Sequence, residues 1–315
     1  GKMVQPTWSP DGTQVAWRGA SVKNDATLGT IWVLPAKGGT PKALNAGLHE
    51  TAYDIHWLSN EELLVSAVKS THCELSRRKL NGQSLVIKTP KVTFLSVSID
   101  KSRNKLAFIG STATHPSDLY TGELTGTVKR ALNHNPQLTK VGWAKQETVS
   151  WTARDGKSIE GVMMYPLGYK KNKRYPLVLM VHGGPEWQAL DGWISRYLWP
   201  GQVLAAKGYA VLAPNYRGSS GRGAAFAMAD HRDLGGKELL DNVDAIAHFA
   251  KEGLVDPKRV GMIGGSYGGY MSALVATKAS KHFAAAINFA GIANWMSFTG
   301  TSDIPYENSI VHWDL

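Results

Sequence analysis

The chain has 315 residues, 43% of them hydrophobic and 19% charged, which is the composition of a globular protein of one or two domains. These proportions exclude a disordered chain, a collagen and a coiled coil. The 35 Lys and Arg outnumber the 25 Asp and Glu, for a net charge of +10. The densest basic runs, residues 77–79 and 170–174, are short, and we expect both to be solvent-exposed. The charge therefore predicts neither a nucleic-acid partner nor a membrane partner.

A single cysteine, Cys73, can form neither an internal disulfide nor a thiolate zinc site. The compartment is therefore undetermined, although a cytoplasmic protein is favoured over a periplasmic one. No apolar run approaches the roughly 20 residues of a membrane-spanning helix, and no signal peptide is recognisable. The chain begins at Gly1 inside a repeat, so we expect earlier sequence in the parent protein. The sequence leaves open whether the protein forms a homo-oligomer.

Residues 1–145 consist of short predicted strands separated by Gly, Pro, Asn and Asp, with no amphipathic helix. The pattern around Ile31 recurs around Leu119, 88 residues later, and Leu75 lies at the midpoint. A strand-rich unit that repeats every 40 to 45 residues or so is typical of a β-propeller blade. We therefore predict a partial β-propeller of about three blades over residues 1–145. A small β-sandwich is the alternative.

The pattern changes near Glu147. Two strand patterns, residues 148–154 and 161–165, flank the sequence Asp-Gly-Lys at 155–157 and predict a hairpin. One apolar stripe predicts a helix that ends at Gly253, and its members are Leu239, Val243, Ile246, Ala247 and Ala250. Continuous apolar runs predict strands covered on both faces, at residues 176–181, 209–213, 260–263 and 284–289. Strands that alternate with helices indicate a mainly parallel, doubly covered sheet, here over residues 146–315.

The sequence Gly-Gly-Ser-Tyr-Gly at residues 264–268 matches the G-x-S-x-G pattern of a nucleophile elbow. A predicted strand precedes it and a helix of small residues follows, which is the context that the pattern requires. Such a turn holds its serine in a strained conformation, and Gly264 and Gly268 let neighbouring backbone pass without a clash. We therefore predict that Ser266 is a nucleophile with an exposed hydroxyl. A phosphate-binding glycine-rich turn is disfavoured, because no G-x-x-x-x-G-K is present.

The sequence His-Gly-Gly-Pro at residues 182–185 follows the first buried strand of this half. Acyl transfer builds negative charge on a carbonyl oxygen, and fixed backbone N–H groups stabilise that charge. We assign the two N–H donors to Gly184 and to Tyr267, the residue after the nucleophile. His182 precedes the nucleophile by two strands, so we expect it to be structural rather than a catalytic base.

A nucleophilic serine needs a histidine base and a carboxylate that orients it. Asp303 and His312 follow Ser266 in the required order, but only one predicted strand separates Ser266 from Asp303. The acid and base of this fold normally follow two later strands, roughly 60 residues further on. We therefore reject this pair and expect the Asp and His of the triad outside the chain.

Together these motifs resemble the prolyl oligopeptidase family of serine peptidases, with the acylaminoacyl peptidases as the most similar branch. The resemblance covers about residues 147–315, and the repeats before it suit the family's N-terminal β-propeller. It rests on four ordered segments, residues 181–185, 214–219, 233–237 and 264–271. It implies a nucleophile at Ser266, N–H donors at Gly184 and Tyr267, and a propeller that restricts access to short peptides.

Other positions are candidates for substrate contact. Arg217 follows a strand and could bind a substrate carboxylate or brace its loop, with bracing favoured. Trp295 and Phe298 could line a hydrophobic pocket or simply pack. Glu186 and Trp187 follow the oxyanion loop and could form its rim.

We therefore expect an α/β hydrolase domain preceded by part of a β-propeller, acting as a serine peptidase on short peptides without a metal or organic cofactor. A carboxylesterase is the first alternative, because the elbow and the oxyanion loop serve esters equally well. A propeller-based interaction protein with a degenerate hydrolase domain is the second.

Overall fold

The structure is a computed structural model that describes residues 2–314. In that part of the chain, the first half forms three four-stranded antiparallel sheets in which consecutive strands pair side by side. The strands are β1 (Met3–Trp8), β2 (Gln14–Gly19), β3 (Thr30–Pro35), β4 (Lys42–Ala43), β5 (Thr51–Ser59), β6 (Glu62–Lys69), β7 (His72–Lys79), β8 (Ser84–Ile87), β9 (Ser98–Ile99), β10 (Lys105–Thr112), β11 (His115–Glu123) and β12 (Lys129–Arg130).

The sequence repeats correspond to these sheets. Ile31, Leu75 and Leu119 lie in β3, β7 and β11, the third strand of each sheet. One apolar cluster joins the first two sheets and contains Ile31, and the next joins the second and third sheets and contains Leu75. Each sheet thus buries its apolar residues against its neighbour, which explains why the pattern repeats once per sheet.

The second half contains a six-stranded sheet. Its four parallel strands are those predicted from continuous apolar runs, and an antiparallel hairpin extends one side. The order is β13-β14-β18-β15-β19-β20, and a small hairpin of β16 and β17 lies outside it. The strands are β13 (Gln146–Thr152), β14 (Ser158–Met164), β15 (Tyr175–Val181), β16 (Ser195–Arg196), β17 (Trp199–Pro200), β18 (Ala210–Asn215), β19 (Val255–Gly265) and β20 (Ala285–Phe289).

Helices cover this sheet. They are α1 (Gly201–Ala206), α2 (Ala224–Ala227), α3 (Lys237–Lys251), α4 (Tyr267–Lys278) and α5 (Trp295–Thr301), with short 3-10 segments at Pro136–Lys140 and Ser280–His282 and a π-helical segment at Glu307–His312. The predicted stripe on α3 needs one correction. Ala247 is exposed, whereas Phe249 is buried with Leu239, Val243 and Ile246. Among residues 2–314, no helix has the length and apolar content to span a bilayer.

The predicted exposure of the two basic runs is half right. Residues 170–174 are exposed, but Arg78 is only 5% exposed. Its guanidinium forms a bidentate ion pair with Glu50, in which Nη2 lies 2.8 Å from Oε2. Two charges can be buried together when each satisfies the hydrogen bonds of the other. One residue of a short basic run can therefore be buried in the protein core.

Cys73 on β7 is partly buried. Its sulfur accepts a hydrogen bond from the backbone N–H of Phe94 at 3.2 Å. Burial raises the pKa of the thiol to about 12.

Arg217 braces the junction between the hairpin, the loop after β18 and α3. Its side chain is 3% exposed, and it donates to Asp241 on α3 (2.6 and 2.9 Å) and to Asp155 in the hairpin turn (2.7 and 3.1 Å). The substrate-binding assignment of Arg217 is therefore wrong, because its donors are committed to two carboxylates. Bracing, the other expectation from the sequence, matches these contacts.

Replacing Arg217 tests this brace. Arg217→Ala leaves the carboxylate of Asp241 buried without its partner, so we expect a loss of about 3–5 kcal/mol in the free energy of unfolding. Arg259→Ala is the control, because its ion pair with Asp256 is largely exposed and should be worth less than about 1 kcal/mol. Urea unfolding followed by tryptophan fluorescence measures both. Equal, small losses would contradict the bracing role.

Candidate active site

Ser266 lies on the turn between β19 and α4, at the edge of the parallel sheet where the strands end. Its backbone is in a left-handed conformation, with φ 55° and ψ −122°, and its side chain is exposed. Its own N–H donates to the carbonyl of Phe289 at 3.0 Å, which ties the turn to β20. A non-glycine residue adopts this conformation only where its surroundings enforce it.

Three glycines allow this turn. A Cβ on Gly264 would overlap the backbone of Gly268, and a Cβ on Gly268 would overlap the carbonyl oxygen of Val181. Gly183 lies over the serine, since a Cβ there would be only 3.6 Å from Ser266 Oγ. The backbone of β15 and its following loop therefore approaches the turn more closely than any side chain permits.

Two backbone N–H groups near the exposed serine are unengaged: that of Tyr267, the next residue in the sequence, and that of Gly184, which follows Gly183 in the loop that approaches the serine. Gly184 has φ 123°, and Tyr267 is the first residue of α4, so its N–H has no partner within the helix. Among residues 2–314, neither N–H donates a hydrogen bond to another group. Both remain available to an acceptor placed beside Ser266.

His182 is a buried structural residue in this arrangement. Its Nε2 lies 3.0 Å from Ser219 Oγ, its Nδ1 lies 2.7 Å from the carbonyl of Gly183, and its ring stacks on Tyr216 at 4.4 Å. Burial lowers the pKa of His182 to about 4, so the ring is neutral at physiological pH. These contacts hold the loop that carries Gly183 and Gly184.

Asp303 and His312 do not form a catalytic pair. Asp303 is exposed, whereas His312 is buried and its Nε2 lies 3.1 Å from Glu186 Oε1. Burial lowers the pKa of His312 to about 4 and raises the pKa of Glu186 to about 7. Among residues 2–314, no side chain is hydrogen-bonded to Ser266 Oγ.

The carboxyl of Glu186 thus points toward His312. Glu186 therefore does not form the rim of the loop at residues 182–185, contrary to the expectation from the sequence. Its carboxyl, that of Glu307 and the imidazole of His312 offer three ligand atoms within 4.8 Å of one another. The ammonium of Lys2 contacts Glu307 in the same cluster. A cation of the protein itself already offsets part of this negative charge.

Comparison with known proteins shows which family the segment around Ser266 resembles. The sequence profile of the prolyl oligopeptidase family matches residues 195–314, which include the turn at Ser266. The uncharacterized peptidase YuxL of Bacillus subtilis is 36% identical over 213 residues. Residues 195–314 of the chain therefore belong to the prolyl oligopeptidase family.

More distant relatives of this family extend over nearly the whole chain. Dipeptidyl-peptidase 5 of Porphyromonas gingivalis is 28% identical over an alignment of 323 positions that covers 98% of this chain. The acylaminoacyl peptidase of Pyrococcus horikoshii shares the fold over 96% of the chain, with a TM-score of 0.79 and 23% identity. The alignment with the Bacillus protein covers 66% of this chain but only 32% of that protein. It spans 45% of the Porphyromonas enzyme and 48% of the Pyrococcus chain.

Trp295 and Phe298 belong to an aromatic cluster next to the elbow. The ring of Trp295 lies 6.2 Å from Tyr267, 5.4 Å from Tyr270 and 5.8 Å from Phe298, and it also contacts Trp313. Both residues are half-buried, and the indole Nε1 of Trp295 is buried without a hydrogen-bond partner. The cluster packs against Tyr267, the residue after Ser266, so its contacts support either packing or the wall of a pocket.

A cavity that we did not predict lies between the third antiparallel sheet and the loop over residues 187–199. Its volume is about 400 Å³, and Gly183 forms part of its wall. Trp187, predicted to be a rim residue, lines it together with Trp193 and Trp199. The signal in the sequence was three tryptophans between residues 187 and 199, shortly after the His-Gly-Gly-Pro sequence.

Hydrogen bonds to the antiparallel sheets hold this loop in place. Gln188 accepts from Tyr53 Oη at 2.9 Å, the N–H of Asp191 donates to the carbonyl of Thr71 at 2.8 Å, and the N–H of Trp193 donates to Ser111 Oγ at 3.2 Å. A Cβ on Gly192 would overlap the side chain of Thr93. The cavity therefore exists only where both halves of the chain meet.

Glu238, another residue that we did not identify from the sequence, supports Tyr267 from below. The Tyr267 hydroxyl donates to Glu238 Oε1 at 2.6 Å, and the backbone N–H groups of Gly235 and Gly236 also donate to this carboxyl. Glu238 is fully buried, and burial raises its pKa to about 7.

Substitution of Gly268 tests the close approach at the elbow. Alanine in place of Gly268 stabilises the helix by roughly 1 kcal/mol through its higher helix propensity. Its Cβ would also overpack against the carbonyl of Val181, which costs roughly 1–3 kcal/mol and displaces the turn. We expect Gly268→Ala to lower the thermal midpoint, and Gly300→Ala to leave it unchanged or raise it, because a Cβ at Gly300 meets no atom within 4 Å. Circular dichroism melts measure both, and a neutral Gly268→Ala would refute the account.

The buried carboxyl predicts a pH dependence of stability. A carboxyl with a raised pKa in the folded state binds more protons than in the unfolded state, so stability falls as pH rises from about 4.5 to about 7. Glu238→Gln should remove a fall on the order of 3 kcal/mol from urea-unfolding profiles measured across this range. The exposed control, Glu61→Gln, should leave the profile unchanged. Identical slopes in Glu238→Gln and the unsubstituted protein would count against the assignment.

Proposed function

We propose that the protein is a serine peptidase that hydrolyses short peptides through an acyl-enzyme intermediate on Ser266. The observation that carries this proposal is an exposed serine in a strained left-handed turn, close to two unengaged backbone N–H groups. The family of the chain supports the reaction class, and the turn supplies the geometry.

In the proposed reaction, Ser266 Oγ attacks the carbonyl carbon of the scissile bond, and its proton passes to a base. The N–H groups of Gly184 and Tyr267 donate to the carbonyl oxygen as it becomes negative. Collapse of the tetrahedral intermediate breaks the C–N bond, and the amine leaves with the transferred proton. Water then releases the acyl group from Ser266. Neither His182 nor His312 is assigned as the base, because the contacts of both lie elsewhere.

We further propose two domains, residues 1–145 and residues 146–315. The three antiparallel sheets are interpreted as blades of a β-propeller that lies over the α/β hydrolase domain. Hydrogen bonds between the loop over residues 187–199 and Tyr53, Thr71 and Ser111 support a shared entrance. An entrance walled on both sides favours short, flexible peptides over folded proteins. Dipeptidyl and acylaminoacyl substrates, named for relatives of this chain, are the first to test.

The test uses the natural protein that carries this sequence, incubated with a fluorophosphonate probe and with peptide nitroanilides. We expect one probe adduct by intact mass and nitroanilide hydrolysis, both lost in Ser266→Ala. Ser280→Ala, at an exposed serine after α4, should retain both. Hydrolysis of short acyl esters without nitroanilides would favour a carboxylesterase. A protein that neither labels nor hydrolyses would favour an interaction protein.

A further inference from the structure

We propose that the cavity between the third antiparallel sheet and the loop over residues 187–199 binds the leaving half of a peptide by its free C-terminal carboxylate, with Arg196 as the anchor. This inference rests on the proposed function and specifies its substrate class: peptides cleaved near a free C-terminus that carries a large apolar residue.

The cavity is built for an apolar side chain. Trp187, Trp193 and Trp199 line one wall, and Phe94 and Ile109 line the facing wall. A volume of about 400 Å³ lies in the range that encloses a small ligand, such as one or two amino-acid residues. Aromatic rings offer a large apolar area in fixed positions, because few rotatable bonds are lost when they are buried.

The walls also connect the cavity to the nucleophile. Gly183 belongs to the lining, and a Cβ on it would lie 3.6 Å from Ser266 Oγ. On the other side of the turn, a Cβ on Gly265 would lie 3.8 Å from the Trp199 ring. A peptide whose scissile carbonyl lies at Ser266 can therefore extend directly into the cavity.

The charge of the lining selects which end of the peptide fits. Arg196 is the one lining residue with a formal charge at neutral pH, because burial keeps His182 neutral. Its side chain is exposed, and among residues 2–314 it forms no ion pair with an acidic side chain. An α-ammonium group would meet only this positive charge, whereas an α-carboxylate can accept two parallel N–H bonds from the guanidinium.

The chemistry of the chain end then fixes the direction. The C-terminal carboxylate always belongs to the part of the substrate that departs as the amine. The cavity therefore takes the leaving side, and the acyl side lies across Ser266 from it. A guanidinium at this position favours substrates that end one or two residues after the scissile bond.

The test measures binding in the Ser266→Ala background, so that it does not depend on turnover. Gly-Phe and Gly-Phe-amide are titrated while the fluorescence of the cavity tryptophans is followed. A charge-assisted bond to the carboxylate predicts that Gly-Phe binds about tenfold more tightly than its amide. Arg196→Ala should abolish this ratio and leave the affinity for the amide unchanged. Arg130→Ala, at an exposed arginine on β12, should preserve the ratio.

Two further measurements sharpen the result. Arg196→Glu should reverse the preference so that the amide binds more tightly, and Gly-Gly should bind more weakly than Gly-Phe if the aromatic walls contribute. An equal affinity for acid and amide, or a ratio unchanged in Arg196→Ala, overturns the proposal. If Ser266→Ala retains the discrimination while the unsubstituted protein fails to label with fluorophosphonate, the proposed peptidase activity is rejected and the carboxylate site is kept.

Discussion

The backbone packing around Ser266 is the constraint on which the candidate site depends. The serine holds φ 55° only because Gly264 and Gly268 let two stretches of backbone meet, and because Val181 contributes a carbonyl to the same small space. The strain in the turn is offset by the surrounding sheet, the Phe289 hydrogen bond and the helix that begins at Tyr267. The same packing exposes the hydroxyl and leaves the first N–H of the helix free, so the strain and the exposure of the serine have one origin.

A second layer of support lies behind the turn. His182 and Tyr216 stack beneath the loop that carries Gly183 and Gly184, and Glu238 accepts a hydrogen bond from the hydroxyl of Tyr267. Burial lowers the pKa of His182 to about 4 and raises the pKa of Glu238 to about 7, so His182 is neutral and Glu238 is only partly ionised at physiological pH. Under the proposed function, a developing oxyanion would interact with the backbone N–H groups of Gly184 and Tyr267.

Local patterns in the sequence predicted the elements that depend on local geometry. The elbow, the buried strands and the repeats each follow from spacing, glycine placement or apolar runs, and the structure contains all of them. The burial of Arg78 could not be predicted, because its partner Glu50 is 28 residues away, just before β5. Glu238 and the tryptophan cavity were missed for the same reason. Their roles arise only when loops and helices distant in sequence come into contact, and no periodic pattern encodes such contacts.

The state of Cys73 has a practical consequence. It is the single cysteine of the chain, and a thiol with a pKa of about 12 contains almost no thiolate at neutral pH. Maleimide and iodoacetamide reagents should therefore react with Cys73 only slowly. A cysteine placed on an exposed strand or loop would then be the dominant labelling site without removal of the native one. Fluorescent or spin-label pairs could in this way report distances between the antiparallel sheets and the α/β half.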